Sequence, residues 1–272
     1  MKRIHIVGCS PRSGTTLITE LMINCFNVDM YDEHETSIFK WPKYKANIYV
    51  TKFPADIQRI DYLLDKMKNL YVICMLRDPR DIIVSVHMHD SEKYWCGLKF
   101  WKNCTPHIDK LINHPRFILI YYEELIAKPD FIQKHINQRL PFLQKTVPFS
   151  QFHLHANPSI KSQQALSSLR PLSNASISIW KQHIHRIKGQ IELHGPITDD
   201  LIKYGYERNN EWEKLLDDIT PDCGYSHLTE FTDQKRLNRY LRFYKLKSLL
   251  SLVGNHECIL RLRKPFKHSS KV

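Results

Sequence analysis

A chain of 272 residues with 42% hydrophobic residues suits one large domain, or one domain with an appendage, and is long enough to bury its own core. Met1-Lys2-Arg3 runs straight into an apolar strand pattern and no apolar stretch reaches bilayer-spanning length, so neither a secretory leader nor a membrane span is expected, and a soluble, cytoplasmic protein is. Seven cysteines without a CxxC pair argue against a disulfide framework and a structural zinc site, and the net charge of +12 is concentrated in residues 235–272, where eleven Lys or Arg stand against one acid, which excludes a basic nucleic-acid channel through the main domain.

Four short apolar runs, at residues 4–7, 47–51, 70–76 and 117–121, have the length of buried strands, and helical patterns lie between most of them. Alternation of this kind predicts an α/β fold with a central parallel sheet flanked by helices. The first run ends at Gly8, and Leu17, Ile18, Leu21, Met22 and Cys25 then recur at helical spacing, so the period switches across Pro11-Arg12-Ser13-Gly14-Thr15-Thr16. A strand, a tight loop and a helix start in that order make an anion cradle. The unpaired N–H groups of the first helical turn face the ligand with the helix dipole behind them. Arg12 adds a permanently charged fork of donors, and Ser13, Thr15 and Thr16 add hydroxyls. A nucleoside triphosphate loop would have four residues between its glycines, followed by Lys and Ser or Thr. Here five residues separate Gly8 from Gly14 and Thr15 follows, so the loop lysine is missing.

Further along, Tyr31-Asp32-Glu33-His34-Glu35-Thr36 is an acidic loop, and Lys52 follows the second long strand run. Met75-Leu76-Arg77-Asp78-Pro79 leaves a strand and enters a helix predicted over 79–89, with Asp78 as N-cap and Pro79 as first helical residue. Arg77 and Ser85 then face one crevice at the C-terminal edge of the sheet, where open α/β sheets bind ligands, and suit a second phosphate. Taken alone, Arg77-Asp78-Pro79-Arg80-Asp81 also reads as a salt-bridged helix cap. Another helix is predicted over 94–113, a long polar loop or lid over 147–172, a helix over 176–187 and a closing element at Gly205-Tyr206. The histidine pairs His87/His89, His153/His155 and His183/His185 are two residues apart, which on a helix turns them to different sides, so no metal site is predicted.

These pieces in this order resemble the sulfotransferases that use 3′-phosphoadenosine 5′-phosphosulfate (PAPS), and the match spans residues 3–208. Pro11-Arg12-Ser13-Gly14-Thr15-Thr16 resembles the family's 5′-phosphosulfate loop, and Arg77 with Ser85, eight residues on, its 3′-phosphate pair. Tyr121-Tyr122-Glu123-Glu124-Leu125 with Lys128-Pro129 resembles the element that follows a later strand. Ser176-Ile177-Ser178-Ile179-Trp180-Lys181 resembles the late segment near the nucleotide, which implies cofactor contacts from Ser176, Trp180 and Lys181, and Leu201-Ile202-Lys203-Tyr204-Gly205-Tyr206 resembles the closing motif. The style of the first loop, with Arg12 rather than Lys, is nearer to the carbohydrate and protein-tyrosine sulfotransferases, which use a glutamate as general base. Ungapped counting favours Glu33 for that role, whereas Thr36 and Phe39 make Glu35 the better local match, and His34 is the remaining candidate.

The resemblance implies a P-loop-like three-layer α/β fold and in-line transfer of a sulfuryl group from PAPS to a hydroxyl or amine. Glu35 or Glu33 would act as base, with Lys52, resembling the family's K-x-P lysine, and Arg12 facing the leaving phosphate; no metal is required. A carbohydrate or glycolipid acceptor is expected, with a tyrosyl peptide as another choice. The rival readings are a nucleotide-dependent kinase or phosphotransferase and a non-catalytic nucleotide-binding module. Residues 1–208 form the expected catalytic domain and 209–272 a basic, partly helical extension. In it Leu237, Tyr240, Leu241 and Tyr244 share helical spacing with Arg236, Arg239 and Arg242 on another face, suited either to packing on the domain or to an anionic membrane surface.

Overall fold

The computed structural model describes residues 1–228 apart from 41, 43, 88, 89 and 167, together with Phe243 and Leu246, and describes no side chain at 87, 90–92, 161 or 165. The amphipathic pattern around residues 236–244 falls almost wholly outside the described residues. In chain order the elements are β1 (Lys2–Gly8), α1 (Thr15–Cys25), β2 (Met30–Tyr31), β3 (Ile48–Lys52), α2 (Ile57–Lys66), β4 (Leu70–Leu76) and α3 (Pro79–Ile83). There follow β5 (Val86–His87), β6 (Asp90–Tyr94), α4 (Leu98–Leu111), β7 (Phe117–Tyr121), α5 (Tyr122–Ala127) and α6 (Pro129–Arg139). The last are α7 (Phe152–His155), α8 (Ile160–Leu166), α9 (Ile184–His194) and α10 (Thr198–Lys203), with short 3₁₀ turns between several of them.

The central sheet has five strands in the order β2-β3-β1-β4-β7, and every pairing in it is parallel. With helices on both faces, this is the three-layer α/β arrangement that the alternating pattern implies. Two apolar clusters occupy the two faces. Ile4, Ile6, Val50, Ile73 and Met75 pack with α1 and α6 on one face, and Val7, Val72, Cys74 and Leu76 pack with α2, α4 and Trp180 on the other. Both faces of the strands are covered, which is why they read as continuous apolar runs rather than alternating ones.

The helix expected over 79–89 stops at Ile83. Asp78 does cap it, accepting from the Arg80 N–H at 2.9 Å, but the run Ile82-Ile83-Val84 is β-branched, Val84 leaves helical geometry, and the chain turns into the antiparallel pair β5-β6. Ser85 therefore sits in the turn after α3, not two turns into a helix. The helix expected over 94–113 begins later, at Leu98, because Ser85 accepts the Trp95 N–H at 2.8 Å and holds that residue to the hairpin. Residues 147–172 contain α7, α8 and a 3₁₀ turn rather than an unstructured lid, and the helix expected over 176–187 is split into 3₁₀ turns and α9.

Beyond residue 208 the chain stays on the core as far as it is described. Trp212 is buried against Trp180, the Asp222 N–H bonds the His185 carbonyl at 2.9 Å, and His227 and Leu228 bond the carbonyls of Tyr94 and Trp95. No helix among the described residues is long and apolar enough to cross a membrane.

Candidate active site

A cleft of about 310 Å³ opens at the C-terminal edge of the sheet, where β1 and β4 hand the chain to their following helices. Its floor is the loop from Cys9 to Gly14. The Cys9 N–H is tied to the Met75 carbonyl at 2.9 Å, and Arg77 donates to the Arg12 carbonyl at 2.9 Å, so the loop is bolted to the end of β4 at two places. Gly8 has no room for a side chain, since an added Cβ would lie 2.2 Å from Ser13 Oγ. At Gly14, the N-cap of α1, φ is +92° and a Cβ would meet the Tyr122 ring at 2.6 Å. Both glycines are thus demanded by close approach and, at Gly14, by a left-handed backbone.

Pro11, Arg12, Gly14, Thr15, Thr16, Arg77, Ser176 and Glu35 all line this cleft. Arg12 adopts φ of +68° and donates from Nε to Ser85 Oγ at 2.8 Å. Burial and the neighbouring Arg77 both lower its pKa, although it remains a guanidinium. Ser85 is reached through Arg12 rather than lying beside Arg77, and it is not among the residues that line the cleft. Arg77 lies over the Tyr122 ring at 4.5 Å, donates to the Ser176 carbonyl at 2.5 Å, and keeps a buried Nε–H without a protein acceptor. Ser13 differs from the other loop residues. Its hydroxyl is fully buried over Gly8 with no hydrogen-bond partner, so only its backbone is available to a ligand.

Lys52 ends β3 on the α1 side and donates to Thr16 Oγ1 at 2.9 Å. Burial lowers its ammonium pKa, while Glu35 and Glu20 act in the opposite sense. Of the two acidic candidates, Glu35 lines the cleft, whereas Glu33 is exposed and stands outside its lining. Glu35 is exposed as a residue, yet the protein crowding its carboxyl raises its pKa; Lys52 pulls it down and Asp56 pushes it further up. Partial desolvation in the cleft, not full burial, sets that direction.

Trp180 and Lys181 are not brought to the cleft. Trp180 is buried under the Arg80 guanidinium at 4.1 Å and against Trp212, and its N–H is held by Asp81 at 3.0 Å. Lys181 is exposed beyond it. The segment serves the site indirectly: Asp81 also accepts from Ser178 N–H at 2.8 Å, which fixes the Ser176 carbonyl that receives Arg77. Asp78 and Arg80 form the salt-bridged cap, extended by Glu207. Tyr122, Trp95, Phe152, Leu166 and Arg170 also line the cleft. Sequence reasoning named none of them individually as site residues, although Phe152, Leu166 and Arg170 fall in the 147–172 loop and Tyr122 in the 121–125 motif, because they come from separate segments that only the tertiary fold gathers.

No protein-family model and no curated protein matches the chain. Among solved structures it is similar to the sulfotransferase domain from the curacin biosynthetic pathway, at 13% identity and a TM-score of 0.42 over 67% of this chain and 98% of that one. It is also similar to the sulfotransferase domain of the Synechococcus PCC 7002 olefin synthase, at 18% identity and a TM-score of 0.34 over 49% of this chain and 51% of that one. A third similarity is to retinol dehydratase in a complex with retinol and PAP, at 11% identity and a TM-score of 0.32 over 97% of this chain and 84% of that one.

Proposed function

We infer that this chain transfers a sulfuryl group from PAPS to a hydroxyl or amine of an acceptor, a carbohydrate or glycolipid. The observation that carries the reading is the convergence in one cleft of a helix N-terminus, Arg12, Arg77, Glu35 and Thr16, which receives the Lys52 ammonium from behind the lining, with no lysine in the loop. The ordered motifs from Pro11 to Tyr206 support it. The donor set also fits an anion: Arg77 Nε–H is buried without a protein acceptor, and α1 starts at Gly14 with no side-chain cap on its first N–H groups.

On this reading the N–H groups of Thr15 and Thr16, with Arg12, hold the 5′-phosphosulfate, and Arg77 holds the 3′-phosphate, with Ser85 acting through Arg12. The bound donor supplies an activated sulfuryl group. Glu35 takes the proton of the attacking hydroxyl, a task its raised pKa suits, because a base near the working pH accepts protons most effectively. The Lys52 ammonium, held by Thr16, meets the negative charge that grows on the leaving phosphate oxygen.

Calorimetric titration tests the reading directly. Adenosine 3′,5′-bisphosphate should bind without magnesium and more tightly than ATP with magnesium. The reverse preference would defeat the proposal in favour of a phosphotransferase.

A further inference from the structure

Beneath the Glu35 loop, on the face of the sheet away from Lys52, lies a cluster of ionisable side chains that the transfer reaction does not use. Arg3, His5, Thr51, Asp56 and Arg59 are all buried there, with at most 6% of any of them exposed. The parallel register sets His5 of β1 beside Thr51 of β3 and Ile6 beside Lys52. Side chains alternate along a strand, so Thr51 turns into the cluster while Lys52 turns to α1. A buried ionic cluster is costly unless every charge is paired and hydrogen-bonded.

The partners of the cluster are backbone groups of one short segment. Asp56 Oδ2 accepts from the Ile38 N–H at 2.6 Å, while Arg3 donates to the Ile38 carbonyl at 2.7 Å and to the Ser37 carbonyl at 3.3 Å. The preceding Thr36 N–H bonds the Lys52 carbonyl at 2.8 Å. Residues 36–38 are therefore held on both their donor and acceptor sides. Glu35 is the next residue out, and the far end of the Thr36 tether is Lys52 itself.

The cluster is ordered internally as well. Thr51 Oγ1 accepts from Arg3 Nε at 3.3 Å and lies 2.7 Å from His5 Nδ1, and His5 Nε2 lies 3.1 Å from Asp56 Oδ2. Burial lowers the His5 pKa, with Arg3 and Arg59 acting in the same sense against the pull of Asp56, which favours the neutral ring. A neutral ring that donates from Nε2 to a carboxylate must accept at Nδ1, and the Thr51 proton meets that need. Arg59 binds the other oxygen of Asp56.

We propose that Arg3 and Asp56, steadied by His5, Thr51 and Arg59, are positioning residues that clamp residues 36–38 and so hold Glu35 and Lys52 in register across the cleft. The inference rests on the sulfuryl-transfer reading for what Glu35 does, but not for where it is held. A clamp of this kind acts on geometry, and a displacement of about 1 Å at a reacting group costs on the order of 100-fold in rate.

The test compares the wild-type chain with Asp56→Asn and Thr51→Val. The Asn side chain cannot accept on both edges at once, and Val keeps the strand shape while removing the hydroxyl that joins Arg3 to His5. The readout is the titration of the Glu35 carboxyl, followed by carbon-13 NMR and assigned with Glu35→Gln, so it needs no turnover. Glu35 is influenced there by Lys52 and Asp56, and Thr51→Val changes neither charge. The clamp predicts that Glu35 titrates at lower pH in Thr51→Val as the loosened loop moves toward water, and in Asp56→Asn for that reason together with the lost Asp56 charge, with kcat reduced by roughly 10- to 100-fold and bisphosphate affinity changed by no more than about twofold. If Asp56→Asn does not fold, Thr51→Val decides the matter. A Glu35 titration unchanged in Thr51→Val, whatever happens to the melting temperature, overturns the clamp. A wild-type chain that fails to bind the bisphosphate overturns the sulfuryl-transfer reading instead and leaves the NMR comparison standing.

Discussion

Lys52 Nζ donates to Thr16 Oγ1 at 2.9 Å, which ties the C-terminal end of β3 to the second residue of α1. The bond puts an ammonium beside the helix N-terminus, so two sources of positive potential point at one spot. Replacing Lys52 with Met keeps most of the stem's packing and removes the charge. On the sulfuryl-transfer reading kcat should fall by about 100- to 1,000-fold, the range for loss of one donor to a developing anion, while bisphosphate affinity changes far less. Steady-state kinetics alongside calorimetry would separate the two. Equal losses in binding and in kcat would place Lys52 in ground-state recognition.

The pH dependence of kcat follows from the same neighbourhood. Glu35 must be ionised to accept a proton, and crowding raises its pKa, so the rising limb should sit above the ordinary carboxylate range. Lys52 must be protonated, and burial lowers its pKa, so the falling limb should sit below the ordinary lysine range. The two groups influence each other, and the limbs therefore belong to the pair. In Glu35→Gln the residual rate should lose the rising limb; its persistence would move the base to Glu33 or His34.

Much of this arrangement can be read from the sequence, and the parts that cannot have physical reasons. Runs such as Leu70–Leu76 are buried on both faces, so their strand character is written in local composition. The strand–loop–helix junction at Gly8–Thr16 is local too, and Pro11, Arg12, Gly14, Thr15 and Thr16 all meet the cleft. Trp180 misleads because an aromatic ring looks the same in sequence whether it stacks on a ligand or, as here, on Arg80 and Trp212. Ser85 misleads for a different reason: its place depends on where α3 ends, and that end is set by Ile82-Ile83-Val84 and the hairpin that follows. Arg170 and Tyr122 join the site only through long-range packing, which no spacing rule registers.

Gly14→Ala should destabilise the fold. The residue has φ of +92°, where a non-glycine residue costs on the order of 1–3 kcal/mol, and its new Cβ would stand 2.6 Å from the Tyr122 ring. Since Tyr122 lies under Arg77, the collision should also displace that guanidinium. Chemical denaturation would show the lost stability, and a bisphosphate titration the weakened site. Unchanged affinity in the variant would mean that Tyr122 can yield without moving Arg77.

Arg170 is exposed on the lining of the cleft, a third cation beside Arg12 and Arg77 among the described residues that line it. An exposed charge contributes through a screened field, so Arg170→Ala should weaken bisphosphate binding modestly, by about tenfold or less at low salt, with the difference shrinking as salt is added. Arg77→Ala, which removes buried donors and frees the Ser176 carbonyl, should cost more and depend less on salt. Titrations at two ionic strengths would check the ordering. A larger loss from Arg170 would make it the principal phosphate ligand.

Trp212 bears on where the catalytic unit ends. Its ring meets Trp180 edge-on at 6.1 Å between centroids, lies 4.9 Å from the Arg80 guanidinium and donates from Nε1 to Thr198 at 3.2 Å. Arg80 lies against both indoles while it bonds Asp78 and Glu207, so removing one indole takes a contact from a buried charge as well as leaving a cavity. Trp212→Ala should therefore cost about 3–5 kcal/mol. The loss should reach the cleft, because Trp180 and Ser178 hang from Asp81 in the same small helix and Ser176 presents its carbonyl to Arg77 just upstream. Thermal denaturation with and without bisphosphate would show both effects. If a chain ending at residue 208 melts at the temperature of the full chain, Trp212 contributes nothing and the boundary belongs at 208; a large drop moves it to 228 or beyond.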